Sequence, residues 1–479
     1  MKSPRLTALF ILMVLAVLCT DARARMIQQR DGGEVRLPDN SAGRRVSEYI
    51  KAFNSGDEQL MRAFISSNVS SEALKRRGVD ARLDVYREMR NEMGAIKPHR
   101  LIEARADQIT ILFSTTNGGW FEIGFILEQE PPHYLVALRV EDRDAPQDAG
   151  AEGASEPQTP MSRQQFISTV EKQIDELSRS DEFSGVVLIA KDNKPIFQKA
   201  VGLANKTHNV ANRMDTRFNL GSINKIFTRV AIAQLIEKGK LTLDDTIGKH
   251  LPDYPNRQAA EKVTIKHLLE MSSGIGDIFG DKFMATPKDR IRKLQDYFQF
   301  FAAEPLRFEP GTSRQYSNGG FIVLGAIIEK AAGQDYYHYV RENVFKPAGM
   351  SNSDWYDLDS TEPNLATGYT RRSVAGARRA NIYMLPGRGS SAGGGYSTAE
   401  DLLRFAIALR ENRLARADTL SKTGQRAGSA YGVAGGSPGL NAELFFGPDY
   451  TIVVLSNYDP PAAERVSRQI RGWLARVKE

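Results

Sequence analysis

The chain has 479 residues, 41% hydrophobic and 25% charged, a globular composition long enough for two domains. Its formal charge is +6, but no long run of Lys or Arg forms the basic patch that nucleic-acid binding needs, so that class of partner is set aside.

Lys2 and Arg5 precede an apolar run from Ala8 to Cys19, too short for the ~20 residues that span a bilayer. Ala22-Arg23-Ala24 follows with small-x-small spacing. Residues 1–24 therefore read as a secretory signal peptide cut after Ala24, which implies a periplasmic or secreted protein with no transmembrane segment after cleavage. The cut removes three cations and one acid and leaves +4. Cys19 is the sole cysteine, so the mature chain would have no disulfide and would depend on packing. A lipidated Cys19 is the second reading, disfavoured by the bulky Leu18 before it.

Val46, Ile50 and Phe53 recur at helical spacing until Asn54-Ser-Gly-Asp57 breaks the run. Leu60, Phe64 and Ile65 predict a second short helix, and the segment from Leu83 to Met93 a third. Strands are expected at 109–113, 120–127 and 134–140. Helices followed by an antiparallel sheet over residues 35–142 resemble the NTF2-like α+β folds. No convergent chemical motif lies there, which points to a packing or binding module. Residues 143–160, RDAPQDAGAEGASEPQTP, have a linker composition rich in Ala, Pro, Gly and acid.

The second domain, 161–479, opens with an amphipathic helix over 163–177. Strands are expected at 185–190 and 195–201, then a long helical middle. A late hairpin, 442–446 and 451–455, turns around Gly447-Pro448-Asp449, and a last helix carries Val466, Ile470 and Leu474 on one face. Early and late strands around a helical insertion imply one antiparallel sheet, with the terminal helices on one face and the insertion on the other.

Three serines compete as nucleophile. Gly389-Ser-Ser391-Ala-Gly393 and Gly435-Gly-Ser437-Pro-Gly439 match G-x-S-x-G. Pro438 after Ser437 has no N–H to hold an oxyanion. The elbow also needs a histidine later in the chain, and the last one, His338, lies upstream of both. The third candidate is Asn219-Leu-Gly-Ser222-Ile-Asn-Lys225, expected at the start of a buried central helix. Lys225, three residues on, shares a face with Ser222, and desolvation would lower its pKa so that it could activate the serine. Read blandly, Ser222 is a helix cap and Lys225 a snorkelling side chain. Tyr316-Ser-Asn318, before a helical run from Phe321 to Ala331, could aim a base and an amide at the same place.

Together these residues resemble the serine beta-lactamase and penicillin-binding-protein superfamily, on the class C beta-lactamase-like branch that includes D-Ala-D-Ala carboxypeptidases and esterases. The resemblance rests on S-x-x-K at Ser222 and Lys225 and on Y-x-N at Tyr316 and Asn318. It extends to Thr264-Ile-Lys-His-Leu-Leu-Glu-Met-Ser-Ser-Gly274, Phe308-Glu-Pro-Gly311 and Ala392-Gly-Gly-Gly-Tyr-Ser-Thr398. It implies an α+β sandwich-type fold, an antiparallel sheet flanked by helices with a helical subdomain, after the small α+β domain. It further implies Ser222 as acylated nucleophile, Lys225 as its activating partner, Tyr316 as general base and then acid, and Asn318 as a positioning group. The family's third motif is a cation or histidine, a small residue and Gly on a strand that runs into a glycine turn. Lys422-Thr423-Gly424 leads instead into a polar stretch. The strand register selects Val433-Ala434-Gly435, with the Gly436 N–H joining that of Ser222 as oxyanion donor. Gly435 and Gly436 are therefore expected in the substrate site, and Val433 removes the group that in relatives helps recognise a substrate carboxylate.

The expected function is a serine hydrolase acting through an acyl-enzyme on a small-molecule or peptide ester or amide. The alternative is a catalytically weak binding or regulatory module on the same scaffold. No His/Asp/Glu cluster has metal-ligand spacing, so no metal and no cofactor are expected. His208, His250, His267 and His338 are scattered and expected in surface or packing roles.

Overall fold

The computed structural model describes residues 35–143 and 160–478, apart from residues 77, 106, 117–118, 372–376, 425–430 and 448. The expected signal peptide, with Cys19, and most of the expected linker lie outside the described residues. By its internal contacts the chain divides into two units, Met1–Pro157 and Gln158–Glu479.

The first unit begins with α1 (Ser41–Ser55), α2 (Glu58–Asn68), α3 (Ser71–Arg76) and α4 (Val79–Met93). The break between α1 and α2 has a physical cause at each residue. Gly56 takes the left-handed conformation that ends α1, and the Asp57 carboxylate accepts from the Gln59 and Leu60 amides to start α2. A meander follows: β1 (Ile96–Ala104), β2 (Gln108–Thr115), β3 (Trp120–Leu127) and β4 (Leu135–Arg143), all antiparallel. Phe53, Phe113 and Phe125 are fully buried in its core. α3 and β1 were not expected from the pattern. Lys97, Pro98 and Arg100 break the apolar alternation of β1, and the strand accommodates Pro98 through a register shift at the sheet edge.

In the second unit, α5 (Arg163–Arg179) starts on a capping box between Ser162 and Gln165. β5 (Gly185–Lys191) and β6 (Lys194–Val201) form a hairpin, and α6 (Asn224–Glu237), α7 (Asn318–Ala332), α8 (Ala399–Arg410) and α9 (Ala417–Lys422) belong to the helical middle. β7 (Tyr431–Ser437), β8 (Leu440–Phe446), β9 (Tyr450–Ser456) and α10 (Ala462–Leu474) complete the unit. The strands form one five-stranded antiparallel sheet in the order β7-β8-β9-β5-β6.

Strand alternation divides the core in two. Val187, Ile189, Ile452 and Val454 pack with Phe166 and Val170 of α5 and Val466 and Ile470 of α10. Val186, Leu188, Val453 and Leu455 face the other way and pack with α6 and the helical middle. The expected placement of terminal helices on one face and insertion on the other follows directly. Phe227, Val230 and Ile232 of α6 have no exposed surface, and burial stabilises each by about 1.5–3 kcal/mol. α6 thus fixes its own N-terminal turn behind the edge strand β7, where the polar residues gather.

Candidate active site

Gly221 has a φ of +50°, in the left-handed region open to glycine. It turns the chain into a short 3-10 segment, Gly221–Ile223, and α6 begins only at Asn224. Ser222 therefore sits on that tight turn, two residues before the α-helix, rather than at the helix start expected for it. Lys225 follows in the first turn of α6 and is 6% exposed.

Three groups surround the Lys225 Nζ: Ser222 Oγ at 3.1 Å, Asn318 Oδ1 at 2.7 Å and the Ala392 carbonyl at 2.6 Å. Tyr316 Oη lies 2.6 Å from Ser222 Oγ, and Nζ stands 4.8 Å from the Tyr316 ring centroid. Lys225 and Tyr316 therefore converge on the Ser222 hydroxyl, and Asn318 holds Lys225. Ser317 between them caps α7, accepting from Gly320 N and donating to the Gly276 carbonyl. On either side of that cap Tyr316 reaches Ser222 and Asn318 reaches Lys225.

Asp277 was not singled out by the sequence. Its carboxylate accepts from the Asn318 amide at 2.9 Å and from Nδ2 at 3.1 Å, so the Asn318 carbonyl oxygen is turned toward Lys225. The Ala392 carbonyl was missed as well; it belongs to the glycine loop that contains Ser391. Ser391 itself is buried and donates to the Phe321 carbonyl, away from any substrate.

Burial pushes Lys225 down to about 7, with Arg229 adding to the shift and Asp277 opposing it. Burial pushes Tyr316 up to about 12, the hydrogen bond with Ser222 opposing and Asp277 adding. The Tyr316 residue is 52% exposed at the cleft mouth, so solvent moderates its shift, but the direction favours a neutral phenol. Electrostatics thus oppose the phenolate that a Tyr316 general base requires. A neutral Lys225 amine suits the geometry: two N–H bonds reach Asn318 and Ala392, leaving a lone pair for the Ser222 hydroxyl.

β7 is the edge strand and passes against this turn. A Cβ on Gly435 would fall on the Leu220 carbonyl oxygen and 2.8 Å from the Ser222 amide nitrogen. Ala434 and Gly436 face the opening, whereas Val433 packs on the apolar core. Ser437 lines the same opening at the end of the strand. Lys422 of the alternative motif ends helix α9, and Thr423 follows it as a helix cap rather than a strand residue. His250 bonds to Asp245 and His267 caps a short helix with Thr264, both structural roles.

The opening is a cleft of about 460 Å³ with Ser222, Tyr316 and Asn318 at its polar end. Phe279, Phe283, Tyr356, Leu358, Met384 and Leu440 give it a largely apolar wall. Phe279 is 60% exposed and stacks edge-on against buried Phe283 at 5.3 Å.

Known proteins resemble this chain in sequence and fold. The Beta-lactamase family model matches residues 170–476. PbpX of Bacillus subtilis (strain 168), named as a penicillin-binding protein, is 31% identical over 53% of this chain, and the match spans 60% of that relative's length. The penicillin binding protein from Bacillus halodurans is 32% identical with a TM-score of 0.58, over 64% of this chain and 99% of that one. The D-amino acid amidase from Ochrobactrum anthropi SV3 shares the fold at 22% identity, with a TM-score of 0.56 over 65% of this chain and 99% of its own. With its sheet, its central helix and a family match over most of its length, this chain belongs to the serine beta-lactamase and penicillin-binding-protein superfamily, a family of hydrolases.

Proposed function

We propose that this chain is a serine hydrolase that acylates Ser222 with an ester or amide substrate. The observation that carries the reading is the Ser222 hydroxyl, 2.6 Å from Tyr316 Oη and 3.1 Å from Lys225 Nζ. The free amine of Lys225 takes the hydroxyl proton as Oγ attacks the substrate carbonyl carbon. The amides of Ser222 and Gly436 hold the resulting oxyanion. Tyr316 gives its phenol proton to the leaving alcohol or amine and recovers one from Lys225. Water then attacks the acyl-enzyme, its proton passing back through the same pair as Ser222 is released. Asn318 keeps the Lys225 lone pair directed at Oγ. This assigns the base role to Lys225 and the proton relay to Tyr316, because burial favours a neutral amine and a neutral phenol.

The apolar cleft wall and Val433 favour substrates with an apolar acyl group and no required carboxylate. The fold shared with an amidase is compatible with amides as well as esters. The signal-like leader supports a periplasmic or secreted location, and among the described residues no helix is long and apolar enough to cross a membrane. The test is labelling of the purified chain with a fluorophosphonate, alongside turnover of p-nitrophenyl esters, D-amino acid amides and nitrocefin. Labelling and turnover are expected for the wild type and lost in Ser222→Ala. Activity that survives Ser222→Ala, or a wild type that neither labels nor turns over, would overturn the reading.

A further inference from the structure

Arg229 stands one turn beyond Lys225 on α6, on the same face. Its guanidinium donates to the Thr423 carbonyl and, at 2.8 Å, to the Leu269 carbonyl. Both cations lie on one aromatic ring: the guanidinium carbon is 5.2 Å and the Lys225 nitrogen 5.6 Å from the Phe321 centroid. Among the described residues no carboxylate comes within ion-pair distance of Arg229, so neutral carbonyls anchor a half-buried charge. Such an arrangement is costly unless the charge has a use. Replacing Arg229 with an apolar residue would leave the two carbonyls without this donor but would remove the cost.

We propose that Arg229 is a positioning residue for the reaction: a fixed cation, sharing the Phe321 ring with Lys225, that biases Lys225 toward its free-amine form. It would supply inside α6 a positive charge that Val433 cannot provide on β7. The charged and titratable groups facing Lys225 are Asp277, which favours the ammonium, Tyr316, and Arg229, which disfavours it. Arg229 in turn faces Arg314 and Tyr431, and burial together with Arg314 lowers it to about 10, so it stays charged at neutral pH. The inference rests on Lys225 acting as the base.

The test is the pH profile of kcat/KM with a p-nitrophenyl ester for the wild type, Arg229→Met, Arg229→Lys and Lys225→Met. Arg229→Met should move the acid limb up by about one pH unit, a roughly tenfold loss below the limb, with little change on the alkaline plateau. Arg229→Lys should restore the limb. Arg229→Gln, which keeps a donor for the Leu269 carbonyl, carries the comparison if the methionine variant does not fold. A limb that stays in place while activity falls equally at every pH would show a purely structural role and overturn the proposal. If Lys225→Met retains the limb, the base assignment itself fails. If Lys225→Met abolishes the limb and no Arg229 variant moves it, the Arg229 proposal fails alone.

Discussion

Asp277 holds Asn318 by both its backbone amide and its side-chain amide, at 2.9 and 3.1 Å. Its oxygens also accept from the amides of Ile278 and Phe279, so the carboxylate fixes its own loop and joins it to the start of α7. Asp277→Asn places an amide N–H against other N–H donors, a clash of donors worth roughly 1–3 kcal/mol. The expected result is a kcat loss of about tenfold or more with little change in KM. Removing the negative charge also lowers the Lys225 pKa, so the acid limb of the pH profile should move down, opposite to the Arg229→Met shift. Both are read from the same steady-state measurement.

Lys225 sets the pH response of activity and stability together. The unfolded chain holds its proton up to the ordinary 10.5, while the folded chain releases it near 7. Between those values the unfolded state binds more protons, so this group's contribution to stability rises with pH from about 7 to 10.5 and is unfavourable below. Activity needs the free amine, so kcat/KM should rise through an apparent pKa near 7. Lys225→Met should lower kcat by ~10²–10⁴-fold and raise Tm at neutral pH. Calorimetry across pH should show that the gain in Tm shrinks toward pH 10.5. A Tm that falls at neutral pH would contradict the burial cost.

What the sequence showed was what local periodicity encodes. Ser222 and Lys225 were legible because their spacing places them on one helix face, and Tyr316 and Asn318 because they share a short turn before a helical run. Asp277 was not, because it meets Asn318 across 41 residues of chain, and Ala392 reaches Lys225 across 167. No spacing rule joins such positions; the approach of α7 to the Gly276–Asp277 loop creates the contact. Arg229 had no local sign either, since its purpose depends on where Phe321 lies. In the small unit β1 was hidden by Pro98 and its charged neighbours, which only an edge strand with a register shift can absorb. In the five-stranded sheet β5, β8 and β9 were readable from their apolar runs and turn signals, whereas the glycine-rich edge strand β7 was placed only through the register of the third motif.

Phe279 offers a test of the apolar cleft. It is exposed on the rim, supported from beneath by Phe283, and so can cover an acyl chain without repacking the core. Phe279→Ala should cut kcat/KM for a long or aromatic acyl ester by about tenfold, the value of roughly 50 Å² of lost apolar contact. An acetyl ester, too short to reach the rim, should be nearly unaffected. Equal losses for both esters would place Phe279 outside the acyl path.

Gly435 sets how closely β7 can approach Ser222. The Cβ of an alanine there would overlap the Leu220 carbonyl and press on the Ser222 amide, and both neighbours are backbone. Neither can rotate away as a side-chain end would, so the strand or the 3-10 turn must move. Overpacking of this kind costs about 1–3 kcal/mol. The displacement falls on the two amides proposed to hold the oxyanion, where loss of one donor costs about 10²–10³-fold in kcat. Gly435→Ala should therefore lower Tm by a few degrees and acylation by about two orders of magnitude, while Ser222 remains present and intact. Pre-steady-state labelling at several fluorophosphonate concentrations separates the two effects. A folded variant that acylates at the wild-type rate would show that β7 does not contribute to the oxyanion site.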